Sequence, residues 1–254
     1  MIEKSSFDIK TNQDGSRKIK LQCGEDTSYE INLSGKIGWK NAYTTAEILK
    51  SLEYLENSDV ELILEQDVIT ESRIPVISLY KKYPQPGKMP VLFMLHGFET
   101  SKEKMVRYAV NFAAQGVFTV MQDAPDHGER FDPDHFHNAY RLDKDPMNGF
   151  KNRLILMGKY TEETGKVMEW YRRSNNLDFS RIGITGVSMG ATVSLYLASK
   201  NPGIKTVAAF IPVVGFENLF AKNLTIQDGF LTEIRKIDPL FFLQAPVKWM
   251  KEKL

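Results

Sequence analysis

The chain lacks several features that mark large classes of protein. Its 254 residues include a single cysteine, Cys23, so no internal disulfide can form and a cysteine-based zinc site is not indicated. Acidic and basic residues nearly cancel, and the formal net charge of +1 gives no electrostatic reason to expect nucleic acid or an anionic membrane as a partner. The sequence has no apolar run of about 18 residues and no signal-like stretch at its amino terminus. These absences predict a soluble, cytoplasmic protein whose partner is a small molecule.

What the chain does have is 42% hydrophobic residues, enough for one sizeable domain with a buried core. The unbroken apolar run 91–95 predicts a central strand that helices cover on both faces. From there strand and helix patterns alternate, which is the signature of a parallel sheet with helical crossovers. The predicted strands are 60–68, 74–80, 91–95, 117–121, 181–185 and 207–213, and the predicted helices are 44–57, 100–116, 149–173 and 189–200.

No stretch between these elements is interpreted as a linker, so the sequence predicts one domain over residues 1–254. Residues 1–58 are interpreted as accessory strands and a helix, 59–254 as the core, and 123–148 as a polar, aromatic, lid-like insertion. The turn-forming stretch 83–88 predicts a hairpin loop and not a linker. Thr100 and Glu103 have the spacing of a capping box at the start of a helix.

Gly186-Val187-Ser188-Met189-Gly190 lies between a strand-like run and a helix-like run. Gly186 and Gly190 allow a turn too tight for side chains, which would lift Ser188 above the carboxyl end of the sheet. The start of the following helix would aim backbone N–H groups at developing negative charge, so the Met189 N–H is the first candidate oxyanion donor. The alternative interpretation is an ordinary glycine-rich turn from strand to helix.

A second loop, 95–99, follows the predicted central strand. The Phe98 N–H is the candidate for the second oxyanion donor, with the Glu99 N–H as the alternative. Gly97 permits close approach of backbone to a substrate. His96 is interpreted as a buried, hydrogen-bonded support and not as a base.

These motifs resemble those of the α/β-hydrolase superfamily, in particular its small bacterial esterases and its dienelactone-hydrolase-like or prolyl-oligopeptidase-like branch. The matching segments are Leu95-His96-Gly97-Phe98 with Ser101-Lys102-Glu103, residues 123–130, and residues 181–190. The resemblance covers about residues 60–215. It implies a three-layer α/β-hydrolase fold, with helices on both faces of a mostly parallel sheet.

The same resemblance implies hydrolysis of a small carboxylic ester without cofactor or metal. Ser188 would be acylated, and Phe98 and Met189 would hold the oxyanion. His127 would belong to a structural loop beside the site. The candidate pocket residues are His96, Gly97, Glu99, Asp126 and His127.

The chain departs from the family pattern after Ser188. That family places its catalytic acid and histidine after its seventh and eighth strands, whereas all four histidines here precede Ser188. Only about forty residues follow the last predicted strand. We therefore expect strands seven and eight to be missing, catalysis to be impaired, and an unpaired sheet edge to favour self-association.

Three functions stay open on the sequence. The first is a shortened serine esterase, the second a catalytically silent homologue that binds a small molecule, and the third an active enzyme with an unorthodox base. For the third, the insertion supplies His127, His135 and His137. Carboxylates and imidazoles between 132 and 137 also permit a metal site, although a solvated surface loop is the favoured interpretation.

Overall fold

The computed structural model describes residues 6–11, 17–23, 27–34, 62–69, 73–82, 87–142 and 145–213. Nine strands in these ranges form one mixed sheet in the order β1-β2-β3-β4-β5-β7-β6-β8-β9. The strands are β1 Ser6–Thr11, β2 Arg17–Cys23, β3 Thr27–Ser34, β4 Leu62–Ile69, β5 Ile74–Lys81, β6 Met89–Leu95, β7 Phe118–Gln122, β8 Leu177–Val187 and β9 Ile204–Phe210. The helices are α1 Glu103–Ala114, α2 Pro133–Tyr140, α3 Pro146–Arg172 and α4 Met189–Lys200, with a 3-10 turn at Gly128–Arg130.

Strand direction identifies the architecture. Strands β7, β6, β8 and β9 are mutually parallel, and β5 runs antiparallel to both β4 and β7. Helix α1 packs on one face of the sheet, and α3 and α4 contribute to the core on the other. This arrangement is the α/β-hydrolase fold predicted from the sequence. No helix in the described part of the chain is long and apolar enough to cross a membrane.

Strand β6 explains why both faces are covered. Val91, Phe93 and Leu95 point into the core that α3 and α4 share, while Met94 points into the core under α1. Because side chains alternate along a strand, an unbroken apolar run requires apolar neighbours on both faces. The prediction of a central strand at 91–95 is confirmed.

Two local predictions are wrong. The segment 83–88 does not close a hairpin, because β7 lies between β5 and β6 in the sheet. No capping box starts α1: the N-cap residue is Lys102, and its backbone N–H donates to Asp123 Oδ1 at 2.9 Å. A partner at the end of the neighbouring strand therefore replaces the local cap. The helix predicted at 44–57 lies outside the described residues.

Strand β9 is the last strand of the described sheet on its side. Val207 and Phe210 in this strand are 39% and 59% exposed, and Ile211 directly after it is 76% exposed. An apolar strand edge of this kind is a template for pairing with another chain.

We predict self-association through β9, and a Val207→Lys substitution should weaken it because a lysine on an edge strand opposes pairing. Analytical ultracentrifugation over a concentration series measures the effect. The matched control is Ile155→Lys, at a residue 47% exposed on α3. A wild-type protein that remains monomeric at high concentration, or equal effects of the two variants, would contradict the prediction.

Candidate active site

Ser188 occupies the junction between β8 and α4 in a conformation that L-residues rarely adopt. Its φ is 51° and its ψ is −114°. The Ser188 backbone N–H donates to the Phe210 carbonyl oxygen at 2.9 Å, and its own carbonyl oxygen accepts from the Thr192 N–H at 3.0 Å. A backbone conformation of this kind costs about 1–3 kcal/mol and persists only where its surroundings hold it.

The two glycines of the motif lie where the chain passes closest to itself. A Cβ on Gly190 would lie 2.6 Å from the His96 carbonyl oxygen and would overlap the Leu95 carbonyl oxygen. A Cβ on Gly186 would lie 2.7 Å from the Ala191 nitrogen. The turn around Ser188 thus excludes larger residues at both positions.

The loop after β6 packs directly against this turn. A Cβ placed on Gly97 would lie 3.3 Å from the Val187 carbonyl oxygen and 3.5 Å from Ser188 Cβ. Phe98 follows, half-buried, and Glu99 is exposed with a positive φ of 60°. Met189 is buried at the start of α4. The two segments that carry the candidate oxyanion donors therefore meet at Ser188.

His96 is fully buried, and both of its ring nitrogens are engaged. Nδ1 lies 2.7 Å from the Gly97 carbonyl oxygen, and Nε2 accepts from the Ala124 N–H at 2.9 Å. An N–H donor facing Nε2 requires that nitrogen to be unprotonated, so the ring is neutral. Burial, above all, lowers the pKa of His96 to about 3. The ring joins two loops and has no nitrogen left to act as a base.

His127 and Asp126 belong to the loop after β7. His127 is 1% exposed, its Nδ1 lies 2.7 Å from the Pro125 carbonyl oxygen, and its Nε2 has no hydrogen-bond partner among the described residues. Burial lowers the pKa of His127. Asp126 has a positive φ of 57° and accepts from the Tyr140 hydroxyl at 2.5 Å. The loop is thereby tied to α2.

Helix α2 lies within the insertion and packs over the loop after β6. Phe136 and Tyr140 place their ring centroids 5.0 Å and 5.8 Å from that of Phe98. On the other side of Phe98, its ring lies edge-on to His127 with the centroids 5.2 Å apart. Phe98 is therefore held in an aromatic cluster that joins the insertion to the candidate site.

Among the described residues, the carboxylates and imidazoles between 132 and 137 do not form a group that could share a metal ion. Asp132 caps α2 by accepting from the backbone N–H groups of Asp134 and His135. His135 is exposed and lies 3.6 Å from Asp126, and His137 is exposed. Among the described residues, the one set of acidic or imidazole groups close enough to share a metal ion is Glu103, Asp123 and Glu129.

That set instead surrounds the ammonium of Lys102. Its Nζ lies 2.8 Å from Glu103, 2.8 Å from Asp123 and 2.6 Å from Glu129, and the side chain has no exposed surface. Burial opposes the charge, but the three carboxylates outweigh it and hold the pKa of Lys102 above its ordinary value. Lys102 belongs to the motif Ser101-Lys102-Glu103, but this role was not predicted from the sequence. The signal was present: parallel strands place the ends of β6 and β7 side by side, so a lysine after one strand faces the acids after the other.

The Ser188 hydroxyl makes no hydrogen bond to a histidine in the described part of the chain, which includes all four histidines. The site as described therefore has a serine on a strained turn, two converging backbone segments and a buried ionic cluster beside them. No imidazole among the described residues is hydrogen-bonded to the serine hydroxyl.

The family model and the curated proteins that resemble this chain are all described as esterases. A match to the protein family described as "Putative esterase" extends over residues 69–220. "Esterase YjfP" of Escherichia coli (strain K12) is 31% identical over 139 residues, which are 54% of this chain and 51% of that protein. "Putative esterase YitV" of Bacillus subtilis (strain 168) is 24% identical over 155 residues, 61% of this chain and 57% of that protein. The chain spans about half the length of these curated relatives.

Two solved structures support the fold. TT1662 from Thermus thermophilus is 23% identical with a TM-score of 0.51, covering 69% of this chain and 68% of its own. A post-proline cleaving enzyme from Rickettsia typhi is 16% identical with a TM-score of 0.51, covering 94% of this chain and 35% of its own. The family match covers more than half of the chain and includes strands β6 to β9 with the Ser188 turn. This chain belongs to that esterase family.

Proposed function

We propose that the protein hydrolyses small carboxylic esters with Ser188 as the nucleophile. The observation that carries the proposal is the Ser188 backbone, whose positive φ of 51° persists at a half-buried turn between a central strand and a helix. Strain at such a turn is the mark of an exposed nucleophile in this fold. Membership of an esterase family supports the ester as substrate.

In the proposed reaction the Ser188 hydroxyl oxygen attacks the ester carbonyl carbon, and the carbonyl oxygen becomes an oxyanion. The backbone N–H groups of Met189 and Phe98 stabilise that oxyanion, and each donor of this kind is worth about 3–4 kcal/mol of the barrier. Collapse breaks the bond between the carbonyl carbon and the ester oxygen, the alcohol leaves with the proton that the Ser188 hydroxyl gave up, and the acyl group stays on Ser188. Water then attacks the acyl carbon, its hydroxyl goes to the released acid, and its other proton restores the Ser188 hydroxyl.

Proton removal from Ser188 limits the proposed rate. With no histidine hydrogen-bonded to the hydroxyl among the described residues, acylation lacks its usual base. Loss of the base costs on the order of a millionfold in turnover in a well-characterised serine protease. We infer that these 254 residues acylate slowly. The same observation favours a second candidate function, a catalytically silent homologue that binds a small ester.

A fluorophosphonate probe separates the two functions. We expect slow, single-site labelling of the wild type, complete loss of labelling in Ser188→Ala, and unchanged labelling in Ser199→Ala, an exposed serine near the end of α4. Intact-mass spectrometry and peptide mapping over several hours measure the extent and the site. Labelling elsewhere than Ser188 contradicts the nucleophile, and no labelling at all favours the silent homologue.

The unorthodox base is tested in the same assay. Labelling of Ser188 that is lost in His127→Gln would support an active enzyme that uses His127 as its base, provided that the variant keeps the wild-type melting temperature.

A further inference from the structure

We propose that Lys102 is a positioning residue that fixes the position of the Phe98 backbone N–H. The inference rests on the proposed function. The oxyanion loop is defined as residues 96–102 and the acidic loop as residues 123–130. The buried Lys102 ammonium ties the end of the oxyanion loop to the acidic loop.

The ammonium contacts carboxylates in two parts of the chain. Lys102 Nζ donates to Asp123 Oδ2 at 2.8 Å and to Glu129 Oε1 at 2.6 Å, both in the acidic loop, and to Glu103 Oε1 at 2.8 Å at the start of α1. An ammonium has three donor hydrogens, so these three acceptors use them all. A fully buried lysine needs such partners because an isolated charge is very costly to remove from water.

The backbone reinforces the side-chain contacts. The Lys102 N–H donates to Asp123 Oδ1 at 2.9 Å, and the Glu129 N–H donates to Asp123 Oδ2 at 3.1 Å. Gly128 has a φ of 57°, and a Cβ there would overlap the Asp123 carboxylate. The acidic loop is therefore shaped around Asp123, and Asp123 in turn holds both the backbone and the ammonium of Lys102.

A second anchor holds the other end of the oxyanion loop. His96 joins the Gly97 carbonyl oxygen to the Ala124 N–H, so the loop is fixed at Gly97 and again at Lys102. Phe98 lies directly after the first anchor, and Glu99 adopts a positive φ of 60° between the two. The position of the Phe98 N–H thus depends on both anchors.

Charge shows what removal of the ammonium would do. The cluster holds one cation and three carboxylates, and Asp123 and Glu103 have side chains that are 0% and 10% exposed. Without Lys102 the three anions repel one another at short range in a site of low dielectric constant. The acidic loop and the oxyanion loop should then separate, and the Phe98 N–H should move with them.

The test compares Lys102→Met with Glu129→Gln. Methionine keeps most of the length of lysine and removes its charge. Glu129→Gln is the matched control, because it alters the most exposed carboxylate, 38% exposed, and leaves Lys102 with two buried partners. Fluorophosphonate labelling of Ser188 at several probe concentrations gives the maximal rate and the half-saturating concentration separately.

We expect Lys102→Met to lower the maximal rate about 100-fold with little change in the half-saturating concentration, since a displacement of about 1 Å in a catalytic geometry costs that much. Glu129→Gln should stay within about threefold of the wild type. A purely structural lysine would lower the melting temperature and leave the rate per folded molecule unchanged, and that result would overturn the proposal.

A readout that needs no chemistry at Ser188 completes the test. Hydrogen exchange should accelerate at amides 97–101 in Lys102→Met and not in Glu129→Gln, while amides in α4 keep their protection. If the wild type is not labelled, the proposed function fails, and the exchange rates alone decide whether Lys102 positions the loop. Unchanged exchange at 97–101 would overturn the inference.

Should Lys102→Met fail to fold, the double variant Lys102→Met, Asp123→Asn replaces it. It removes one positive and one negative charge, so the net charge of the cluster is the same as in the wild type. We expect it to fold and still to show the slow labelling and the fast exchange at 97–101. Wild-type values of both in the double variant would overturn the proposal.

Discussion

Gly190→Ala is expected to destabilise the protein by about 3 kcal/mol or more, because the new methyl group meets backbone and not a movable side chain. The Cβ would lie 2.6 Å from the His96 carbonyl oxygen and would overlap that of Leu95. Leu95 ends strand β6 and His96 begins the loop after it, so relief requires α4 to move away from this backbone. Urea denaturation followed by circular dichroism measures the loss as a lower transition midpoint.

The chain supplies its own control for this substitution. Gly158 lies inside α3, and a Cβ there would meet nothing within 4 Å. Alanine is favoured over glycine in a helix interior, so Gly158→Ala should raise the free energy of unfolding by about 0.5–1 kcal/mol. Equal midpoints for Gly190→Ala and the wild type would show that the turn is looser than described.

Acid is expected to destabilise the fold strongly through His96. The pKa of His96 is about 3 in the folded protein, against 6.5 for an ordinary histidine. Above pH 6.5 the ring is neutral in both states and its contribution to stability is complete. Between pH 6.5 and 3 the unfolded chain binds a proton that the folded chain does not, so stability falls by about 1.4 kcal/mol per pH unit, or about 5 kcal/mol in all.

Other buried groups modify this dependence. The lowered pKa of His127 acts in the same direction, whereas burial raises the pKa of Asp123 and acts in the opposite one. His96→Gln isolates the contribution, because it removes the titrating ring. Free energies of unfolding between pH 4 and 7 should depend less steeply on pH in His96→Gln than in the wild type. Parallel curves for the two proteins would contradict a buried neutral imidazole.

Much of this architecture could be predicted from local pattern. The strand and helix patterns predicted every element described between residues 62 and 210 except α2 and the 3-10 turn at Gly128–Arg130, with ends within a few residues. The steric demands of Gly186 and Gly190 were also readable, because a turn that tight between a strand and a helix admits no other residue. These features are encoded by neighbours in sequence.

Features that depend on distant residues were not readable. The capping box predicted at Thr100 does not form, because the Asp123 carboxylate accepts from the Lys102 N–H at the start of α1. Asp123 lies twenty-one residues from Lys102 along the chain and reaches it only because β6 and β7 are adjacent. The prediction of a hairpin at 83–88 is wrong because the chain crosses over through α1 and places β7, and not β6, beside β5. Sheet order decides both outcomes, and no local pattern specifies sheet order.

The aromatic cluster around Phe98 has a consequence for how this protein can change. Helix α2 contacts the oxyanion loop through Phe136 and Tyr140 and contributes no strand to the sheet. Substitutions in α2 can change the packing around Phe98 while the strands of the sheet keep their pairing. Sequence change in this helix would therefore alter the surroundings of the candidate site without altering Ser188.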